Sequence, residues 1–181
     1  MQRNRFQKIQ RGLSLIEVCA VLAIASILAG SAVPSFKEMR NKRQLDGTGA
    51  ELLTDIHFAR SEAVTRNQGV RIRTQALADG STCVVIHTGG AADCSCGATG
   101  PAVCTAADAR EIKTHRFAGG GPQVGPTGAS MRFDPVRGTA TPAGTLRVVG
   151  PDGRAIHHVV SAMGRVRSCS PGGSMPGYKV C

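Results

Sequence analysis

Hydrophobic and polar positions divide the chain into three regimes. Residues 1–12 hold Arg3, Arg5, Lys8 and Arg11 and no acid. Leu13 to Val33 is then a mainly apolar run of 21 residues with a single charge, Glu17. As a helix it spans roughly 30 Å, the thickness of a bilayer core. Pro34 follows and is expected to kink or locally melt a helix, because it lacks a backbone donor. From 35 to 67 apolar residues recur at three-, four- and seven-residue spacings: Phe36, Met39, Leu45, Leu52, Ile56, Ala59 and Ala63. That is the period of an amphipathic helix with one buried stripe. Gly47 and Gly49 weaken its middle, and Asn67-Gln68-Gly69 is a stop signal. Beyond Gly69 the pattern becomes strand-like. Val70–Thr74, Thr82–His87, Glu111–Phe117, Met131–Phe133, Thr145–Val149 and Ala155–Ser161 are strand candidates, most of them separated by Gly, Pro or Asp turns. Asp152-Gly153 between the last two is a hairpin signal.

The fold class expected from this order is α+β: a long N-terminal hydrophobic helix packed on a small, mostly antiparallel β-sheet head. Its segments are 1–12, a basic leader; 13–34, a membrane or filament-core helix; 35–68, an amphipathic continuation; and 69–181, a β-rich head. A positive flank before an apolar span stays cytoplasmic, which puts the head on the far side of an inner membrane.

Composition adds a charge argument. The 22 basic and 12 acidic residues leave a formal charge of +10. Such a balance favours polyanions such as nucleic acid or anionic lipid, although a basic chain need bind neither. Six of the seven cysteines (Cys83, Cys94, Cys96, Cys104, Cys169 and Cys181) fall in the head, an even number suited to disulfides in an oxidising compartment. Cys19, inside the apolar run, reads as a small packing residue.

An ordinary secretory signal has a shorter apolar core followed by a small-residue cleavage site. Here the candidate signal precedes the core, in Arg11-Gly12-Leu13-Ser14-Leu15-Ile16-Glu17. This resembles the prepilin peptidase motif of type IV pilins and type II secretion pseudopilins. The resemblance implies cleavage after Gly12, methylation of the new terminus at Leu13, and a role for Glu17 as the family's glutamate at mature position five. Leu replaces the commoner Phe at the new terminus. A carboxylate in a membrane helix needs a partner, and the freed amine of a neighbouring subunit's Leu13 is suited to it. The competing reading is a plain anchor that tolerates one Glu. Within the class, Phe58-Ala59-Arg60-Ser61-Glu62-Ala63-Val64-Thr65-Arg66-Asn67 resembles the helix-end signature of GspH/FimT minor pilins and pseudopilins. Phe133-Asp134-Pro135 through Gly138 resembles their central hairpin. Residues 88–110, rich in Gly, Ala and Cys, depart from the pattern.

In the head, Gly164-Arg165-Val166-Arg167 resembles the GRxR element of FimT-type minor pilins, which bind DNA during uptake for natural transformation. On a strand, Arg165 and Arg167 project to one side, with guanidinium forks suited to phosphate oxygens. A Gly/Ser-rich segment, Ser168 to Ser174, follows as a mobile loop able to mould to a nucleic-acid backbone. Loss of the leader leaves 18 basic and 12 acidic residues, or +6, of which residues 132–181 carry seven cations and two acids, or +5. That clustering is the footprint of a phosphate-reading surface. Arg154 and Lys179 are outlying contacts. The competing reading is a solvated basic face with no ligand. No helix-turn-helix or zinc-finger pattern is present and aromatics are few, so binding would be sequence-independent and salt-sensitive. His157 and His158 are adjacent on a strand and face opposite sides, so one is expected to be buried.

Cys169 and Cys181 bracket the terminal loop and are placed to close it. Cys83, Cys94, Cys96 and Cys104 allow three pairings, among which the spacing does not choose. Cys94-Ser95-Cys96 is tighter than zinc spacing and has no matching second pair, so no metal is expected. No cofactor is implied, and no nucleophile–base pair or phosphate-cradling loop points to an enzyme. Gly119-Gly120-Gly121-Pro122 reads as a loop. The expectation is a minor type IV pilin that binds extracellular DNA and is a substrate of prepilin peptidase. It would pack on other pilins through its N-terminal helix, and move from the inner membrane to the pilus or cell surface on assembly. The alternatives are a structural minor pseudopilin of a type II secretion system, or an assembly-priming minor pilin, without DNA binding.

Overall fold

A computed structural model of the chain describes residues 14–125 and 130–181. Gly12 and Leu13 lie outside the described residues, as does the rest of the leader. Two compact units emerge, divided between Met39 and Arg40.

One helix, α1 (Leu15–Arg66), supplies the N-terminal unit and the first element of the head. It is unbroken at Pro34, so the expected local melting does not occur; a proline deletes one backbone bond, and the helix keeps those on either side. Every described side chain from Ser14 to Met39 is exposed, including Leu15, Ile16, Ile27 and Phe36. Phe36 and Met39, expected on the buried stripe, are therefore corrected: they fall in the N-terminal unit. The helix is long and apolar enough to cross a membrane.

The head begins its stripe at Leu45 and continues it through Leu52, Ile56, Ala59 and Ala63, all fully buried. Gly49 lies on the same stripe. An added Cβ there would sit 3.0 Å from Ile156 Cδ1, so the glycine lets helix and sheet approach closely. The helix packs on two five-stranded sheets. The first has the order β5 (Glu111–Phe117), β2 (Thr82–Thr88), β1 (Val70–Ala76), β7 (Met131–Phe133), β8 (Ala140–Thr141). The second has the order β12 (Lys179–Val180), β11 (Val166–Ser170), β10 (Ala155–Val160), β9 (Gly144–Val149), β6 (Gln123–Val124). All pairs in both are antiparallel except β11 with β12. Both sheets contribute to one apolar cluster with α1, including Ile72, Val84, Ile86, Phe133, Leu146, Val148, Ile156 and Val160. Every member of the buried clusters lies at or beyond Leu45, so the head from Arg40 to Cys181 carries a complete core of its own.

Each of the six strand candidates is a strand, with ends shifted by at most two residues. The single expected sheet is two: β9 and β10 pair with each other and with none of β1, β2, β5 and β7, and short β6, β8, β11 and β12 extend the two sheets. Residues 88–110 include β3 (Cys94–Cys96) and β4 (Ala102–Cys104), a two-stranded ribbon. Cys94–Cys104 closes the ribbon and Cys83–Cys96 ties it to β2. With Val85 and Ala109 these cysteines form a second buried cluster on the side of β2 away from α1, so β2 is buried on both faces. One charge is buried under the first sheet. Asp55 on α1 accepts from Lys113 Nζ at 2.6 Å, and that ammonium also lies 5.7 Å from the centre of the Phe58 ring.

Candidate nucleic-acid interface

The second sheet has an inner and an outer side, set by strict alternation. Leu146 and Val148 of β9, and Ile156, His158 and Val160 of β10, point into the core. Thr145, Arg147 and Val149, and His157 and Val159, point the other way. Strand register carries that side across the sheet: Arg147 is opposite His157, His157 opposite Cys169, and Cys169 opposite Lys179. A parallel row runs from Thr145 through Val159 to Arg167. Arg147, Arg165, Arg167 and Lys179 are all exposed. Among the described residues, none of their charged groups has a hydrogen-bonding or ionic partner. No acid occupies an outward position on these strands.

Arg165 is not in a strand. It closes the β10–β11 turn, where the Ser161 amide donates to the Arg165 carbonyl, the Arg165 amide donates to Ser161 Oγ, and β11 starts at Val166. Alternation still holds: half-buried Val166 separates two exposed arginines, so both project together. Gly164 in the turn is itself buried, at φ +72°. An added Cβ would collide with the Gly138 carbonyl oxygen. Arg60 of α1 donates through Nη1 to the Gly164 carbonyl at 3.2 Å and also lies against Gly138 in the β7–β8 turn. The helix-end signature, the central hairpin and the glycine of the arginine motif thus meet at one point.

The terminal segment is tied down rather than loose. Cys169–Cys181 closes it. Met175 is buried and its amide donates to Ser170 Oγ. Tyr178 donates its hydroxyl to Asp46 of α1 at 2.7 Å; burial first, and then that carboxylate, push its pKa up to about 12. These anchors set β12, and with it Lys179, beside β11. Arg154 is paired: Asp152 Oδ2 lies 3.2 Å from its Nη1, across the β9–β10 turn. Of the two histidines, His158 is buried and bonded to Ser168 Oγ at 2.8 Å, as its neighbour's outward position requires. His157 is half-buried, its Nδ1 3.8 Å from Cys181 Sγ; burial first, and then Arg147, hold its pKa below the usual imidazole range.

Two contributors escape the sequence reading. Arg147 was legible as the polar residue between Leu146 and Val148, but its neighbours across the sheet were not. Arg60 sat inside a recognised signature without a role. Elsewhere, Glu17 lies exposed in the first turn of α1. Gly119–Pro122 lines an open groove of about 420 Å³ with Arg40, Glu51 and His115. A family model described as type II transport protein GspH matches residues 48–164. The match ends immediately before Arg165. No curated protein and no solved structure matches the chain.

Proposed function

The chain belongs to the GspH family of pilin-like subunits, structural proteins that associate with other pilins or pseudopilins, and from that premise we propose that it is a minor pilin that captures extracellular DNA for natural transformation. Arg165 and Arg167 grip phosphates, Gly164 fixes the turn that presents them, and Lys179 adds a contact from the neighbouring strand. Arg154 is a weaker contact because Asp152 already neutralises it. The observation that carries the reading is the pair of exposed, unpartnered arginines on an outward face free of acids. Binding is to the phosphate backbone and indifferent to sequence. Before assembly the chain is held in the inner membrane by α1, with the head in the periplasm. Prepilin peptidase cleaves after Gly12, Leu13 becomes the terminus, and Glu17 receives the terminus of a neighbouring subunit; assembly then moves the protein to a pilus at the cell surface.

One finding favours the structural pseudopilin of a type II secretion system. The family match describes a type II transport protein and stops short of the arginine pair. The test that separates the readings is a mobility shift of the oxidised head, Arg40–Cys181, on random-sequence duplex DNA at low and moderate salt. The DNA reading expects binding that weakens with salt and is lost in a folded Arg165→Ala, Arg167→Ala variant. A folded, oxidised head that leaves DNA unshifted at low salt overturns it in favour of the pseudopilin. Processing is checked separately: N-terminal sequencing after co-expression with prepilin peptidase should begin at Leu13.

A further inference from the structure

The proposed arginine pair sits at one end of a larger basic array. Arg147, on the far side of β10, has no place in the GRxR resemblance, and the family match does not single it out. Register nevertheless puts it in line with His157, the Cys169–Cys181 disulfide and Lys179, across four adjacent strands. Three strand spacings separate its ends, roughly 15 Å. One duplex strand carries about four phosphates over that length. The array offers four exposed cations: Arg147, Arg165, Arg167 and Lys179.

The floor between the cations matters as much. Its outward residues are Thr145, Val149, Ala155, His157 and Val159, none a large aromatic. The chain has no Trp, and its single Tyr is bonded to Asp46. Phe117 and Phe133 are in the core, and Phe58 is packed against it. The ring of His157 is half-buried against Cys181. Proteins that hold single strands rely on bases stacked on exposed aromatic rings, and this face has no such platform. What remains is charge. Duplex DNA presents charge more densely along its axis than a single strand and releases more counterions per phosphate neutralised.

Resting on the DNA reading above, we infer that the grip runs across the strands, with Arg147 and Lys179 extending the arginine pair into a transverse row that holds the phosphate backbone of double-stranded nucleic acid in preference to a single strand. Arg147 is a contact residue at the end of the row opposite Lys179. The disulfide acts as a positioning element, because it fixes the strand that delivers Lys179.

Fluorescence anisotropy on the oxidised head tests this, with labelled random duplex and an unstructured single strand of equal length, over a range of salt. Arg147→Ala and Lys179→Ala, both exposed and checked by thermal melting, should each weaken duplex binding several-fold and lower the salt slope by about one; Arg147→Lys should retain most of the affinity. The duplex should bind at least about fivefold tighter than the single strand. If Arg147→Ala and Lys179→Ala match wild type while the Arg165, Arg167 double variant loses binding, the transverse row is wrong and the arginine-pair reading stands. Equal or tighter binding of the single strand overturns the duplex assignment. A wild-type head that binds neither removes both.

Discussion

At Gly164 the chain has to satisfy two demands at once. A Cβ there would meet the Gly138 carbonyl, and the backbone is in a region that L side chains rarely adopt. Gly164→Ala should therefore cost about 2 kcal/mol or more of stability, read by urea unfolding of the head. Arg60→Ala should cost about 1 kcal/mol through the lost bond to the Gly164 carbonyl. A loss of stability in both would show that the glycine of the motif serves the fold, leaving its arginines for the ligand. Two buried histidines set the pH response. For His87 desolvation lowers the pKa, with Arg71 and Arg73 adding to it; for His158 desolvation again leads, followed by His157 and His57 as lowering neighbours. A folded pKa below the unfolded value means that stability is whole above about pH 6.5 and is lost as pH falls below it. The melting temperature should drop as pH falls from about 6.5 to about 5, and His158→Gln should flatten part of that drop.

Among the elements, Lys113 on edge strand β5 is the sole basic chain bonded at short range to buried Asp55 among the described residues, although His115 lies nearby. Lys113→Met should destabilise the head by about 2 kcal/mol, a figure discounted because the lysine is partly exposed. Removing Cys94–Cys104 should cost roughly 2–3 kcal/mol by the chain-entropy argument for a loop of that size, without changing DNA affinity, since the ribbon covers the other sheet. The longer elements were legible because their periods were: five stripe positions of α1 and six strands alternate or recur as their neighbours demand. The two-residue strands β6, β8 and β12 carry no period, β3 and β4 lie in the Cys-rich stretch that departs from the pattern, and the pairing of β11 with β12 depends on a disulfide whose partners were legible only as brackets of a loop. For the same reason the arginine motif was visible while its continuation through Arg147 was not. Residues far apart in the chain become neighbours only once register is known.

For the molecule as a whole, the division at Met39–Arg40 separates two tasks. Glu17→Ala should leave the melting temperature of the head unchanged, since no core residue precedes Leu45, yet reduce the chain's recovery in sheared filaments. A head that melts differently in the variant would contradict that separation. Five of the six outward positions on β9 and β10 carry no formal charge, so the basic character of the second sheet depends on a few side chains rather than on bulk charge. Strand β10 lies beneath all of this. Its Ile156 touches the helix at Gly49, and its His157 and Val159 form the floor of the basic face. Inserting or deleting a single residue within it would exchange the two sides, exporting Ile156, His158 and Val160 to solvent and turning His157 and Val159 onto the helix. Length variation among natural relatives should accordingly be absent from Ala155–Val160 and collect in the flanking turns, at Asp152-Gly153 and Ser161–Met163.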